Sequence, residues 1–360
     1  EGTRGELVRL TQRLLDRCLF LLFCEDMGNS LNFPQDLLRD ILIEYSRDSY
    51  YDANDTTLWE RLKALFSTMC TGGVFAERYK INEFDGGLFE EFPELERLRI
   101  PSHVFCAKNQ GAGGMESLLA HPRTLLYFSA KYNFGIKNAA HHRVIDLYAL
   151  GRIFEQSITE LEIMEAEAEK RPSLNKLSKR RRDGVYYTPE WVTSYIVEET
   201  VGARLREIKE HLGLVEEHRP EQKDIEQYRA FLQDGRRTAK VAGQWIEALK
   251  KYRGYLDHLK IVDPACGSGA FLVQALEHLK AEHQWLVNER TRVSGQRELW
   301  DADEVVNAIL TNNIYGVDIN AESVEITKLA LWMHTASPNK PLSSLNNRIR
   351  CGNSLVGPDF

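Results

Sequence analysis

The chain has 360 residues, 43% of them hydrophobic and 28% charged, an ordinary composition for a folded protein long enough to hold two domains. No run of about 18 apolar residues occurs, which excludes a membrane-spanning helix, and the first residues lack the basic start and apolar centre of a secretion signal. The formal charge of -7, from 46 basic and 53 acidic residues, excludes a uniformly basic nucleic-acid binder and leaves local patches to be read. Cys18, Cys24, Cys70, Cys106, Cys266 and Cys351 form no Cys-x-x-Cys pair and no zinc-ligand spacing with histidine. Reduced thiols in the cytoplasm are expected, with no metal and no disulfide framework.

Leu7, Leu10, Leu14, Cys18, Leu21 and Leu22 recur at three- and four-residue steps and predict an opening amphipathic helix with these residues on one face. Helical patterns follow at roughly 34 to 46 and 56 to 70, punctuated by glycine at 28, 72–73 and 86–87. Residues 1–150 read as a mostly helical domain. The loop from Asn109 to Gly114 lacks the Lys-Ser/Thr of a P-loop and reads as a connector. His141 and His142 point apart on a helix and read as a surface or packed pair. Tyr127, Phe128, Tyr132 and Phe134 read as core rather than as a base-stacking platform.

Residues 151–183 predict a connecting helix, with Ile153, Phe154, Ile158, Leu161 and Met164 on one face, followed by an acidic run from Glu160 to Glu169. The charge then reverses at Lys170, Arg171, Lys176, Lys179, Arg180, Arg181 and Arg182. This block is either a solvated linker offsetting the acids or a contact for DNA phosphates. Residues 203–258 are polar and helix-favouring and read as a helical insertion. From 259 onward short apolar strands alternate with helices: strands at 259–262, 314–317 and 348–351, helices from about 270, at 302–313 and at 321–333. That alternation predicts a parallel α/β sheet.

The most specific segment, Asp263-Pro264-Ala265-Cys266-Gly267-Ser268-Gly269-Ala270-Phe271, falls between a strand and a helix. A glycine-rich turn there brings backbone close to a ligand and aims free N–H groups at it. The third glycine of the dinucleotide fingerprint would fall at Leu272, and Asp318 lies much further on than the about 20 residues of that fingerprint, so a nicotinamide dehydrogenase is disfavoured. Asp318 ends the second strand, where a carboxylate can accept both hydrogen bonds of a ribose diol, and Ile319 offers an apolar face to a purine. Asn353, after the third strand, is placed to pair with an adenine edge.

With these motifs the sequence resembles the N6-adenine DNA methyltransferases of the gamma motif order, most closely the long single-chain methylases of type IIG restriction-modification and BREX-like phage-defence systems. The matching stretches are Gly184-Val-Tyr-Tyr-Thr-Pro189, Asp263 to Phe271, Tyr315-Gly-Val-Asp-Ile-Asn320 and Gly352-Asn-Ser-Leu355, in the family's order as motifs X, I, II and III. Shorter strings, Phe20 to Asp26 and Phe84 to Phe89, look like the helical region that precedes such methylases. The resemblance implies an α/β, class I (Rossmann-like) S-adenosyl-L-methionine-dependent methyltransferase sheet, present in part over 184–360 and preceded by the helical domain. It implies that Thr188 holds the cofactor's methionine carboxylate, Asp263 with the Gly267 and Gly269 backbone its amino-acid portion, Asp318 its ribose, and Ile319 with Asn353 its adenine. Tyr187, Pro189, Pro264, Ala265, Cys266, Ser268 and Phe271 are implied as further cofactor-binding residues. Double-stranded DNA is the implied partner, with other restriction or defence subunits as further candidates and no membrane. Read locally, Tyr187-Thr188-Pro189 is also a plain helix start and Asn353 a turn residue.

The family's catalytic Asn/Asp-Pro-Pro-Tyr/Phe motif is missing, because no Pro-Pro pair occurs anywhere in the 360 residues. The expected sheet, of family order 3-2-1-4-5-7-6, is then represented by strands 3, 2 and 1, with strand 1 a bare apolar edge. A fragment lacking the catalytic motif and the target-recognition domain is expected, itself inactive. The rival reading is a non-catalytic cofactor-sensing or DNA-binding subunit. A nuclease core gets no support, since Glu207-Ile-Lys209 and Glu221-Gln-Lys223 lie in the helical insertion.

Overall fold

The computed structural model describes residues 4–84, 88–108, 121–133, 143–144, 188–235, 239–297, 301–335 and 344–356. The chain divides into two compact units, residues 1–187 with 320–347, and residues 188–319 with 348–360. The segment 320–347, adjacent in sequence to the predicted sheet, is thereby counted with the first unit.

The first unit opens with α1 (Arg4–Met27). Its apolar residues do not keep to one face as the spacing predicts: Leu7 is 55% exposed, whereas Arg17 through Cys24 are all buried. The reason is that the second half of α1 runs through the interior. It packs along α12 (Ala321–Thr335), in which Val324, Ile326 and the stretch from Leu329 to Met333 are buried on every side. Arg17 and Glu25, buried on α1, are held by specific contacts. Arg17 donates to the carbonyls of Leu88 at 2.9 Å and Glu90 at 2.6 Å and pairs with Glu96 at 3.1 Å. Glu25 accepts the Leu38 N–H and so caps α2 (Leu37–Arg47) from outside the helix. α3 (Thr57–Thr71) carries Leu58, Trp59, Leu62, Leu65, Phe66 and Met69 inward and leads into the hairpin β1 (Gly73–Phe75) and β2 (Tyr79–Ile81). A short α4 (Pro93–Glu96), α5 (Leu125–Lys131) and a parallel two-residue pair, β3 (Tyr132–Asn133) with β4 (Arg143–Val144), complete its described part. Tyr127, Phe128 and Tyr132 are half-buried; the rings of Phe128 and Tyr132 lie 4.8 Å apart.

The second unit begins with α6 (Glu190–Val197), which passes through a π-turn (Glu198–Gly202) into α7 (Ala203–His211). α8 (Gln222–Asp234) starts on a reciprocal capping box, Glu221 with Asp224, and stops at Gly235 in the left-handed conformation. α9 (Lys240–His258) buries Ala242, Trp245, Ile246, Leu249, Tyr252 and Leu256. These helices pack on α10 (Ala270–Ser294), whose buried residues run from Leu272 to Val293 and which ends at left-handed Gly295. A polar knot joins three of them: Lys209 pairs with Glu282 at 2.6 Å beneath the Trp285 ring, and the Tyr252 hydroxyl donates to Glu282 at 2.8 Å.

The sheet of this unit contains β5 (Ile261–Asp263), β6 (Ile314–Asp318) and β7 (Ile349–Cys351), all parallel, in the order β5-β6-β7. α11 (Ala302–Asn312), capped by Asp301, precedes β6. Asn313 fixes where the sheet starts. Its side-chain amide donates to the carbonyls of Leu256 and Leu259, both at 2.7 Å, and its own carbonyl accepts the Ile261 N–H. Among the described residues β5 is an edge, and Val262 on it is 60% exposed.

Candidate functional site

In a parallel sheet all strands end on the same side, so the register that pairs Asp263 with Gly316 and Asp318 with Cys351 brings three strand ends to one rim. The rim carries the glycine turn after β5, Asp318 and Ile319 after β6, and Gly352 and Asn353 after β7.

The turn is held by backbone bonds at both ends. The Cys266 N–H donates to the Val317 carbonyl at 3.0 Å, tying the loop to β6, and the Cys266 carbonyl accepts the Gly269 N–H at 2.8 Å. Gly267 at φ +54° and Gly269 at φ +85° occupy the left-handed region, and a Cβ on Gly267 would meet nothing within 4 Å. Backbone conformation therefore demands glycine at 267, and space remains open beside it. Gly269 then starts α10. Pro264 and Ala265 are exposed, Ser268 and Phe271 half-buried.

Asp263 ends β5 with one carboxylate oxygen accepting the Ala265 N–H at 3.0 Å, while the other is buried without a hydrogen-bond partner. Burial raises its pKa against the lowering effect of the Ala265 bond, and the nearby charge of Asp318 raises it further. A cationic group beside this oxygen would relieve that cost. Asp318 is buried, and its Oδ2 accepts the Gly267 N–H at 2.8 Å. That bond commits one of the two oxygens that the sequence reading offered to a ribose diol. Ile319 is 54% exposed. Asn353 is exposed, and its side-chain oxygen accepts the Leu355 N–H at 3.0 Å, which is the geometry of the turn-residue alternative.

Thr188 is half-buried and Pro189 exposed; the helix cap falls on Pro189, so the Thr188 hydroxyl is not used as a cap. α6 packs on α10 through Thr193 and Val197. Tyr187, Arg180, Arg181 and Arg182 lie outside the described residues, as do Asn109–Gly114, His141, His142 and the predicted connecting helix.

The sequence reading missed Gly316. A Cβ there would sit 2.8 Å from Leu272 Cδ1, 3.1 Å from Cys266 Sγ and 3.2 Å from Ile349 Cδ1. The strand glycine is what lets the turn and the start of α10 lie against β6, and it explains why a leucine stands where a dinucleotide fold has its third glycine. A lone glycine inside a strand pattern was the available signal.

This arrangement defines a class: an α/β unit presenting a glycine turn and two carboxylates at the carboxyl ends of parallel strands, the position where such sheets bind their ligands. Residues 238–355 match the family model of the MmeI DNA-methyltransferase domain. The chain is 26% identical to a putative type II restriction enzyme and methyltransferase of Methanocaldococcus jannaschii, over 96% of this chain and 27% of that protein. It is 28% identical to the adenine-specific methyltransferase BrxX of Escherichia coli O9:H4, over 41% of this chain and 10% of that one. Its fold is similar to that of the Type IIL restriction-modification enzyme MmeI, solved in complex with DNA, with a TM-score of 0.58 at 17% identity, covering 99% of this chain and 38% of MmeI. The chain is thus similar to methyltransferases of type II restriction-modification enzymes and to BrxX, and spans about a quarter of the M. jannaschii protein's length.

Proposed function

We propose that this chain is the cofactor-binding part of a class I S-adenosyl-L-methionine-dependent DNA adenine-N6 methyltransferase acting in restriction-modification or phage defence. The observation that carries the reading is the joining of motifs I and II: the glycine turn after β5 is bonded directly to the carboxylate that ends β6. A relationship to methyltransferases over the same residues supports it. The site suits the cofactor chemically, since its buried, unpartnered Asp263 oxygen calls for a cation and the cofactor brings an ammonium and a sulfonium.

When bound, the cofactor supplies an activated methyl group for in-line transfer to nitrogen. The chain's own residues orient it. Asp263 would face the amino group, Thr188 would meet the carboxylate, Asp318 would offer an oxygen to the ribose, and Ile319 would cover the adenine. Catalysis here is largely positioning. The flipped target adenine needs polar and aromatic partners of the Asn/Asp-Pro-Pro-Tyr/Phe type, which these 360 residues do not contain. Their absence also motivates a second reading, a cofactor-sensing or DNA-binding subunit.

The domain division proposed is a helical domain at 1–150, a connecting segment at 151–183 and the cofactor-binding part at 184–360, with Arg180, Arg181 and Arg182 against DNA phosphates. Incubating the full-length protein with labelled cofactor and mixed genomic DNA tests the reading. Incorporation into adenine at N6 is expected; label on cytosine, or a full-length protein that binds the cofactor and transfers nothing, overturns it.

A further inference from the structure

We infer that Asp318 is a positioning residue for the glycine turn, and that it shapes the site before any ligand arrives. The Gly267 N–H donates to Asp318 Oδ2 at 2.8 Å across the gap between the β5 turn and the end of β6. The Asp318 side chain is itself anchored, since its residue is 7% exposed and its backbone carbonyl accepts the Gly352 N–H at 2.8 Å. Gly267 stands at φ +54° with nothing in van der Waals reach of a Cβ, so side-chain packing does not hold this residue in its left-handed conformation. The bond to Asp318 does so, together with the Cys266 carbonyl to Gly269 N–H bond that closes around it. Cys266 ties the preceding residue to Val317, so two consecutive N–H groups of the turn are spent on β6, one on its backbone and one on its terminal carboxylate.

Two consequences follow. The bonds that shape the turn use only the chain's own atoms, so the turn does not depend on a ligand to form, which lowers the ordering cost of binding. The ribose of the cofactor proposed above then meets a carboxylate with one oxygen already committed to the turn. This second consequence rests on the cofactor reading; the first does not.

Hydrogen exchange of peptides covering 264–270, measured on the whole chain without cofactor, tests the role with Asp318→Ala and Asp318→Asn. The asparagine side-chain oxygen can still accept from Gly267, whereas alanine cannot. Exchange about tenfold or more faster in Asp318→Ala, within about threefold of the parent in Asp318→Asn, is expected from the loss or retention of a hydrogen bond to the turn. Peptides from 275–287 in α10 report whether the unit stays folded and should be unchanged in both. A residue that served only the ribose would leave ligand-free exchange unmoved, so parent-like exchange in Asp318→Ala overturns the positioning role. Equal acceleration in both variants with α10 still protected overturns it as well. Titration with S-adenosylhomocysteine separates the two readings: an alanine-specific loosening in a parent that binds none keeps the positioning role and removes the cofactor reading.

Discussion

Replacing Gly316 by alanine should damage the second unit through packing alone. Gly316 is in the middle sheet strand with extended backbone, so no conformational penalty attaches to an L-residue there. The new methyl carbon would lie 2.8 Å from Leu272 Cδ1, 3.1 Å from Cys266 Sγ and 3.2 Å from Ile349 Cδ1. All three neighbours are buried, at most 4% exposed. Overpacking of this kind costs about 1–3 kcal/mol, and the stiffer unfolded chain returns about 0.4–1 kcal/mol. A net loss of about 1–2 kcal/mol lowers Tm by about 2–8 °C for a unit of this size. Differential scanning calorimetry of the parent, Gly316→Ala, Leu272→Ala and the double variant is the assay. Leu272→Ala alone costs about 2–5 kcal/mol, and the double variant should be more stable than the sum of the singles by about 1 kcal/mol, because the cavity takes up the methyl group. A Gly316→Ala protein as stable as the parent, or strict additivity, refutes the close approach of β6 to the turn and α10.

Asp318→Ala should weaken binding of S-adenosylhomocysteine by about 1.5–3 kcal/mol, the range for hydrogen bonds to a charged acceptor; equal calorimetric affinities would remove Asp318 from the site. The first unit should lose stability as pH rises. Burial pushes the Asp16 carboxyl up to about 8, against the lowering effect of its Gln12 bond, and burial likewise pushes Glu25 up to about 8, against Arg39. Folded-state values above those of the unfolded chain mean stability fully present below about pH 4 and lost by about pH 8. Tm at pH 5.5 and 8.5 reads this, Asp16→Asn should flatten it, and a higher Tm at 8.5 contradicts it. Neutralising Arg180, Arg181 and Arg182 in the full-length protein should weaken binding to all DNA sequences alike and reduce the log–log salt slope by about 0.9 for each phosphate no longer neutralised. An unchanged slope makes the block a linker. This chain alone should transfer no methyl group to DNA; label in adenine from a purified preparation would show a catalytic group among residues assigned other roles.

The sheet was legible because its signals are local. Short apolar runs ending in Asp263 and Asp318, a glycine turn before a long amphipathic pattern and an acid at a strand end predict β5, β6, β7, α10, α11 and α12 to within a few residues. What sequence did not yield is long-range. The one-faced reading of α1 failed because a helix threading an interior meets neighbours all round, and neither the buried Arg17 nor the capping of α2 by Glu25 has a periodic signature. α12 reads as the helix that follows β6, yet its buried residues on every side belong to the first unit, and only three-dimensional contact reveals that. At the candidate site, residue types marked where the glycine turn and the strand-end acids fall. The commitment of an Asp318 oxygen to Gly267 and of the Asn353 oxygen to its own turn depends on side-chain geometry that no spacing encodes.

Titrating the whole chain with S-adenosylhomocysteine by isothermal calorimetry, with and without excess NAD, tests the central claim most directly. The account predicts saturable binding of one ligand per chain that NAD does not displace and that Asp318→Ala weakens about tenfold or more. No binding by a folded parent chain, or displacement by NAD, contradicts it.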